Sequence, residues 1–305
     1  MSALSIALQL VGGVVLAPLL PGLVQHCKAR LQGRRGPTPL QPYRELRRLW
    51  GKSAVDVEGA GIVYRLAPAV SAASLVVAVL LVPVAAHAPG LGVGRDVLAL
   101  IGVLALARFA VAAATWDVAN GFALMGASRD LTISVATDAT LVLSVAVAAL
   151  VSHSTSLPAM IAGTAGTGAW SNPALALAAV AFALVIVAET GRQPVDNPDT
   201  HLELTMIHEG PLLEYAGRDL ALLQWAAAAR HWIVLVLAAQ LFLPHGTTVW
   251  AQLAELPVAL VALCAGLALV ETYTAKMRIL LAPRLLAVGS AAALLGVVSW
   301  LVQSV

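Results

Sequence analysis

Long apolar runs recur along almost the whole chain, and they limit it to a small set of folds. Of its 305 residues, 60% are hydrophobic and only 11% are charged, with a mean hydropathy of +0.87. A soluble domain carries about 25% charged residues. A membrane-crossing helix needs roughly 20 mainly apolar residues, because backbone polar groups in lipid must be hydrogen-bonded within the protein. The composition therefore predicts an all-α, polytopic integral membrane protein with a single membrane domain over residues 1–305.

Eight apolar stretches are long enough to be transmembrane helices. We predict them at 3–26, 62–86, 97–122, 131–151, 173–190, 229–244, 253–273 and 285–303. The fifth is the shortest, because Glu189 interrupts it. The first lacks a basic leader and a small-residue cleavage site, so we interpret it as a retained span rather than a signal peptide. The Gly-, Thr- and Ser-rich stretch 162–172 is predicted to be an outer loop.

The distribution of basic residues predicts the orientation in the membrane. Loops after the odd-numbered spans, counted with Arg230 at the edge of the sixth span, carry 15 Lys and Arg residues, whereas the opposite loops carry only Arg95. The positive-inside rule places the more basic loops in the cytoplasm. We therefore expect a multi-pass protein of the cell inner (plasma) membrane with both termini outside. A basic amphipathic loop at 27–60 and an acidic loop at 190–228 are then cytoplasmic.

The first of these loops contains a predicted amphipathic helix at 41–52. Prolines at 37, 39 and 42 favour a fixed shape over a loose linker. Such a basic helix is held at the membrane surface either by anionic lipid headgroups or by a cytoplasmic partner. Five arginines are the candidate docking residues: Arg34, Arg35, Arg44, Arg47 and Arg48.

The stretch 188–230 contains seven of the 16 acidic residues of the chain. Further charges fall within the spans, where each costs at least ~2.5 kcal/mol and so needs a partner or a function. Crowded carboxylates in a partly dry site raise one another's pKa, which suits a proton relay. The predicted relay residues are Asp138, Glu189, Asp196, Glu203, Glu209, Glu214 and Glu271.

The alternative interpretation is that these charges only tie helices together as ion pairs. The candidate cations are Arg108, Arg129, Arg192 and Arg278. We favour this alternative for Arg108 and Asp117. We disfavour it for four acidic residues in the stretch where carboxylates outnumber cations: Glu189, Glu203, Glu209 and Glu214.

Motifs for catalysis or for cofactor binding are missing from the sequence. Cys27 and Cys264 are far apart and belong to no CxxC pair. His201, Glu203 and His208 match no zinc spacing, so we favour proton handling between His and carboxylate groups, or plain hydrogen bonding, over a metal. Neither a nucleotide-binding loop nor a nucleophile elbow occurs. We predict no metal site and no catalytic residue on this chain, and we expect no nucleic-acid partner. Any redox centre must belong to another subunit.

Four motifs, in order, resemble the membrane-anchor subunit shared by respiratory complex I and the group 4 membrane-bound [NiFe] hydrogenases. They are RRGPTPLQPYRELRRLWGK, GASRDLTISVATD, AETGRQPVDNPDTHLELTMIHE with the following LEY, and ETYTAKMRILLAPRLL. The resemblance covers essentially the whole chain. Within this superfamily the sequence is most similar to the hydrogenase-4 and formate hydrogenlyase subunit 4 type.

The resemblance implies a heel subunit of the membrane arm that contacts a hydrophilic arm. It implies iron–sulfur and hydrogenase-large-type partner subunits, which would carry the iron–sulfur clusters and the NiFe centre. It also implies antiporter-like membrane subunits as partners. By position, Asp138 follows Gly126 by twelve residues, as an acidic residue does in relatives. Glu189 and Asp196 match the AET-x-R-x-P motif and the Asp that follows it. The acidic loop of the relatives, which links the redox interface to the buried proton path, matches Glu203, Glu209 and Glu214.

The first loop separates the two branches of this superfamily. In the complex I branch, a longer segment that helps to wall the quinone chamber lies between Gly-Pro and Leu-Gln-Pro. Here only Thr38 and Pro39 lie between them. We therefore expect a subunit of an ion-translocating hydrogenase or formate hydrogenlyase-like complex. The alternatives are a quinone-site subunit of a complex I-like dehydrogenase, a stand-alone secondary transporter and a purely structural anchor.

Overall fold

Helices dominate the structure, as the composition predicts. The computed structural model describes residues 9–55, 57–84, 95–166, 172–196 and 207–304. The α-helices in these ranges are α1 (Leu19–Leu31), α2 (Gln41–Trp50), α3 (Ile62–Leu81), α4 (Val97–Val118), α5 (Gly121–Ser152), α6 (Leu157–Thr164), α7 (Pro173–Glu189), α8 (Gly217–Phe242), α9 (Val249–Tyr273) and α10 (Ala282–Ser304). A π-helical segment (Val11–Val15) precedes α1, and 3₁₀ turns lie at Gly210–Leu212 and Ile279–Leu281.

Six of the described helices are long and apolar enough to cross a membrane, namely α3, α4, α5, α8, α9 and α10. The shorter apolar helix α7 is the predicted fifth span. The predicted first span begins outside the described residues, and its described part is the π-helical segment followed by α1. The all-α, polytopic membrane fold is confirmed.

The predicted loop between the third and fourth spans is wrong, because α5 begins ten residues earlier than expected. Ala119 ends α4 in a left-handed conformation, and the Asn120 side chain then accepts hydrogen bonds from Phe122 N at 2.8 Å and Ala123 N at 3.4 Å. This N-cap starts a new helix at once. Arg129, which we predicted to lie in that loop, is therefore inside α5, together with Asp130.

Two further loop predictions need correction. The predicted acidic loop at 190–228 ends at 216, because α8 starts at Gly217 rather than at 229. Asp219 in its first turn is stabilised by the N-terminal end of the helix dipole, and hydropathy alone cannot assign such polar positions to a helix. The predicted outer loop at 162–172 overlaps α6, a short helix whose N-cap is Ser156 and whose first turn contains Pro158.

The core is built around α8. Every residue from 231 to 242 is buried, as expected for a helix packed on all sides. The helix contacts α2, α3, α7 and α9, while α10 packs against α5 and α7. Phe182 of α7 and Phe242 of α8 meet with ring centroids 5.0 Å apart. This arrangement brings the charged residues of α4, α5, α7 and α8 towards one another.

The amphipathic helix predicted in the first loop is present as α2. Leu49 is buried, whereas Arg44, Arg47 and Arg48 are exposed. The turn before α2 lies against α1, where a Cβ on Gly22 would lie 2.1 Å from the Pro39 carbonyl oxygen. A glycine at this position permits the close approach that fixes α2 against the bundle.

Candidate functional site

Two arginines and two carboxylates from four helices meet inside the membrane domain, and we call them the central network. Its members are Arg108 on α4, Asp138 on α5, Glu189 at the end of α7 and Arg230 on α8. Arg108 Nη1 lies 3.0 Å from both oxygens of Asp138, and its Nη2 lies 2.5 Å from Glu189 Oε1. Arg230 donates to Glu189 Oε2 at 3.3 Å and to the Leu104 carbonyl at 3.0 Å. Glu189 is thus held by two guanidinium groups.

The members of the central network differ in exposure. The side chain of Glu189 is 5% exposed, whereas that of Asp138 is 37% exposed. Two cations and two anions balance one another, which reduces the cost of keeping charges in a low-dielectric interior. Asp138 is therefore the member of the central network that is most accessible from outside it.

A second group, the buried triad, consists of Lys28, Arg192 and Glu271. Lys28 Nζ lies 2.8 Å from Glu271 Oε1, and Arg192 Nη1 lies 3.2 Å from Glu271 Oε2. The Glu271 side chain is fully buried. The triad joins α1, α9 and the segment that follows α7, so one carboxylate connects three separate parts of the bundle.

A third group, the loop cluster, lies where the segment after α7 meets α5. Asp196 Oδ1 accepts from Lys276 Nζ at 3.1 Å, and Asp196 Oδ2 lies 3.1 Å from His208 Nδ1. His208 Nε2 lies 3.7 Å from Asp130 Oδ1. Burial lowers the pKa of His208, but the hydrogen bond to Asp196 and the charges of Asp130 and Asp196 outweigh it and raise that pKa above its usual value.

A fourth group, the tyrosine latch, holds Glu214 against α3. The rings of Tyr64 and Tyr215 stack with centroids 4.4 Å apart. The Tyr64 hydroxyl donates to the Glu214 carbonyl at 2.7 Å, and the Tyr215 hydroxyl donates to the Tyr64 carbonyl at 3.0 Å. Asn120 Nδ2 donates to the Glu214 carboxylate. Burial and the neighbouring groups raise the pKa of Tyr215, so its phenol stays protonated as a donor.

Asp117 at the end of α4 binds the first turn of α3. Its Oδ2 accepts from Tyr64 N at 2.9 Å, and a Cβ on Gly61 would lie 2.3 Å from its Oδ1. A carboxylate beside a helix N-terminus is stabilised by the unpaired N–H groups there. We predicted that Asp117 ties helices together through an arginine. In this contact it joins α4 to the backbone of α3.

Comparison with known proteins identifies the family. Residues 4–301 match the NADH dehydrogenase family. The chain belongs to this family. Within it, the chain is 35% identical over 298 residues to hydrogenase-4 component C from Escherichia coli (strain K12), covering 94% of this chain and 92% of that protein. Formate hydrogenlyase subunit 4 from the same organism is also 35% identical over 298 residues, with 93% and 94% covered.

More distant relatives support the same assignment. A subunit of the NADH-quinone oxidoreductase from Rhodopseudomonas palustris (strain BisB5) is 29% identical over 221 residues, which cover 70% of this chain and 67% of that protein. A chain in the structure of the membrane-bound sulfane sulfur reductase (MBS), an archaeal respiratory membrane complex, has the same fold. Its TM-score is 0.84 at 21% identity, with 97% of this chain and 98% of that chain covered. The resemblance inferred from the four motifs is confirmed.

The predicted relay residues of this NADH dehydrogenase family member divide among the four groups. They lie in the central network (Asp138, Glu189), the loop cluster (Asp196), the buried triad (Glu271) and the tyrosine latch (Glu214), with Glu209 half-buried just before the first 3₁₀ turn. Glu203 lies outside the described residues. Arg108 joins Asp138 and Glu189, so two predicted relay residues do share one network.

The expectation that carboxylates outnumber cations is wrong for Glu189. Two arginines contact it, and one of them comes from α8, which we predicted to begin just before that residue. Lys28 and Arg192 likewise surround Glu271. Each of these contacts joins residues that are distant in sequence, so a census of charges along the chain could not show which of them pair. The assignment of these carboxylates to a relay stays a prediction.

Sequence reasoning missed several residues that the structure places in these groups. Lys28, Lys276 and Arg230 were counted only as loop charges, and Asp130 was not considered. His208 was weighed as a metal ligand, as part of a His–carboxylate group that handles protons, or as a hydrogen-bonding group, but its partners Asp196 and Asp130 were not identified. The available signal was the position of Arg230 within an apolar helix-forming run, because such a charge needs a buried partner. No group of three or more His, Cys, Asp or Glu side chains suited to a metal ion occurs within the described ranges.

The five candidate docking arginines lie on one part of the described surface. All are exposed, with Arg34 and Arg35 in the turn before α2 and the other three on α2. We call this surface the arginine platform. Two large apolar side chains beside it, Leu40 and Trp50, are each 54% exposed. The platform therefore combines positive charge with apolar area on a fixed helix, and docking there stays a prediction.

Proposed function

We propose that this chain is the membrane-embedded heel subunit of an ion-translocating hydrogenase or formate hydrogenlyase-like complex. Its similarity over nearly the full length to hydrogenase-4 component C and formate hydrogenlyase subunit 4 supports this assignment. The chain would anchor a hydrophilic arm of iron–sulfur and hydrogenase-large-type subunits, which would carry the NiFe centre and the iron–sulfur clusters. Antiporter-like membrane subunits would be its neighbours in the membrane. The distribution of basic residues supports an inner-membrane orientation with both termini outside.

The central network is the observation that supports ion movement through this chain. Arg108 binds two carboxylates at once, and one of them, Asp138, is partly exposed. A proton on Asp138 removes the negative charge that holds Arg108 there, and Arg108 then interacts more strongly with Glu189. Protonation of one carboxylate thereby changes the electrostatic environment of the other. This linkage is what a carboxylate relay for protons, or for sodium ions, requires.

The test is an Asp138→Asn substitution in the whole complex, with Asp117→Asn as the matched control. Asparagine keeps an acceptor for Arg108 but carries no exchangeable carboxyl proton. We expect the Asp138 variant to assemble and to keep its redox activity with an artificial dye. Ion translocation per turnover should fall about tenfold or more. The Asp117 variant keeps an acceptor for Tyr64 N and should remain coupled.

Two results would contradict the relay. Full coupling in the Asp138 variant would show that its carboxyl group is not needed for ion movement. Loss of assembly confined to this variant would show that Asp138 serves only to tie α5 to α4. Both measurements can be made on reconstituted complexes by following the ion gradient and the dye reduction in parallel.

A quinone-site subunit is the second candidate, because an NADH-quinone oxidoreductase subunit is also related to this chain. Purification in mild detergent separates the two candidates. A co-purifying large subunit with two CxxC motifs supports the hydrogenase-type complex, whereas a co-purifying NADH-oxidising subunit supports the dehydrogenase. A chain that purifies without any iron–sulfur partner would favour a stand-alone transporter.

A further inference from the structure

His208 is the residue of the loop cluster whose two ring nitrogens face carboxylates on different elements. Nδ1 lies 3.1 Å from Asp196 in the segment after α7, and Nε2 lies 3.7 Å from Asp130 on α5. The distance from Nδ1 to Asp196 is within hydrogen-bonding range. A small tilt of the ring would bring Nε2 within hydrogen-bonding range of Asp130 as well. Histidine is the side chain that can accept a proton on one nitrogen and release another from the second.

The contacts around His208 hold the side of its ring that faces Asp196 in place. The His208 backbone N also donates to Asp196 Oδ2 at 3.4 Å, and Lys276 neutralises the other oxygen of the same carboxylate at 3.1 Å. Gly191 lies over the ring in a left-handed conformation with φ of +60°, and a Cβ there would lie 3.1 Å from Nδ1. A larger residue at this position would press on the ring, so glycine leaves room for a tilt.

The loop cluster and the central network each include a residue of α5. Asp138 follows Asp130 on α5 by eight residues, which corresponds to about 12 Å along the helix axis. The charges of Arg108 and Glu189 already influence His208 electrostatically. His208 therefore lies between groups on the loop side and the charged residues within the membrane.

We propose that His208 carries a proton between Asp196 and Asp130, and so connects the loop to the central network. This inference rests on the proposed ion-translocating function. In the inward direction, Asp196 delivers a proton that forms an Nδ1–H bond, while the Nε2–H bond breaks and its proton passes to the Asp130 carboxylate. The imidazole then has one proton fewer on Nε2 and one more on Nδ1, so its charge is unchanged. No electron is transferred, and the reverse sequence moves a proton outward.

The charged neighbours predict how this step depends on pH. Asp196 and Asp130 favour the imidazolium, whereas Arg108 and burial oppose it, and Lys276 offsets part of the charge of Asp196. The folded protein raises the pKa of His208 above about 6.5, the usual value for histidine. The ion-pair contacts of the imidazolium with Asp196 and Asp130 are therefore fully formed below about pH 6.5. They are lost as the pH rises through the raised pKa. The transfer itself starts from the neutral imidazole, because an imidazolium has no free ring nitrogen to accept a proton. Ion translocation that depends on His208 should therefore rise with pH through the raised pKa and decline at acidic pH.

The experiment compares His208→Gln and His208→Ala in the whole reconstituted complex, with His153→Gln as a control at the exposed end of α5. Glutamine keeps hydrogen-bonding groups but cannot carry a proton. We expect the His208→Gln complex to assemble and keep dye-linked redox activity within about twofold, with ion translocation reduced about tenfold or more. Free imidazole should restore translocation in the His208→Ala complex, because it can enter the vacated space. His153→Gln should remain fully coupled.

The remaining outcomes separate this inference from the proposed function. Normal coupling in His208→Gln, together with uncoupling in Asp138→Asn, would overturn the role of His208 and leave the proposed function intact. Failure of imidazole to restore His208→Ala, or failure of both His208 variants to assemble, would show that His208 is a structural tie. A wild-type complex that moves no ions would overturn the proposed function itself.

Discussion

At the scale of single residues, the buried charges of this protein stabilise one another across helices that are distant in sequence. Glu271 shows this most simply, since its fully buried carboxylate lies between Lys28 and Arg192. Removing one member of a buried ion pair leaves the partner charged and without compensation. In the buried triad one carboxylate contacts two cations, so its loss affects three parts of the bundle together.

We therefore expect Glu271→Gln to lower the stability of the folded chain by about 3–5 kcal/mol. The matched control is Glu255→Gln on the same helix, where the exposed carboxylate accepts from Gly246 N at 2.7 Å and an amide oxygen can replace it. Thermal unfolding of both variants in detergent would measure the difference. Equal melting temperatures would mean that Glu271 is not needed to neutralise Lys28 and Arg192.

At the scale of elements, α5 is the helix on which the charged groups and the segment before α8 converge. It carries Asp130 and Asp138, and the 3₁₀ turn at Gly210–Leu212 packs directly on it. The two backbones touch at a pair of glycines, because a Cβ on Gly126 would lie 2.7 Å from the Gly210 Cα. This contact sets the position of the turn that leads from Glu209 to Glu214.

The glycine contact gives a prediction for α5. Gly126→Ala should push the 3₁₀ turn away from the helix and destabilise the fold by about 1–3 kcal/mol, as overpacking does elsewhere. Gly121→Ala is the control on the same helix, because no atom lies within 4 Å of its added Cβ, and it should be neutral or slightly stabilising. Thermal unfolding checks the energies, and limited proteolysis near 207–216 checks the displacement. Equal behaviour of the two variants would argue against a tight contact.

At the scale of the whole molecule, the bundle presents the arginine platform as a rigid surface. The tyrosine latch, the buried triad and the close approach of the first loop to α1 all connect this end of the bundle to the core. A surface held in this way loses little conformational freedom when a partner binds. Its charge is suited to an acidic surface on a hydrophilic subunit.

Charge reversal on the platform should release that subunit from the membrane. Arg47→Glu should weaken its binding, and combining it with Arg34→Glu and Arg35→Glu should abolish binding at physiological ionic strength. Arg284→Glu is the control, since it makes the same charge change at another exposed site. Co-purification and membrane-bound redox activity are the measurements. Retention of active partner subunits by the triple variant would show that the platform is not the docking site.

The sequence by itself determined the class of the fold and much of its outline. Apolar length predicts membrane helices, and a short basic amphipathic pattern predicts α2, because both properties depend only on residues that are close in the chain. Hydropathy failed where polar residues continue a helix beyond the apolar part, as in the early starts of α5 at Gly121 and α8 at Gly217. These boundaries depend on capping at Asn120 and on packing.

Only the tertiary structure decided which charges meet. Arg108 contacts Asp138 and Glu189, which follow it by 30 and 81 residues, and Arg230 contacts Glu189 from another helix. The physical reason is that a charge in the bilayer must find a partner, but hydropathy does not specify which helices become neighbours. Helix packing supplies that information, and it places cations beside Glu189 and Asp196, two carboxylates of a stretch that reads as a surplus of negative charge.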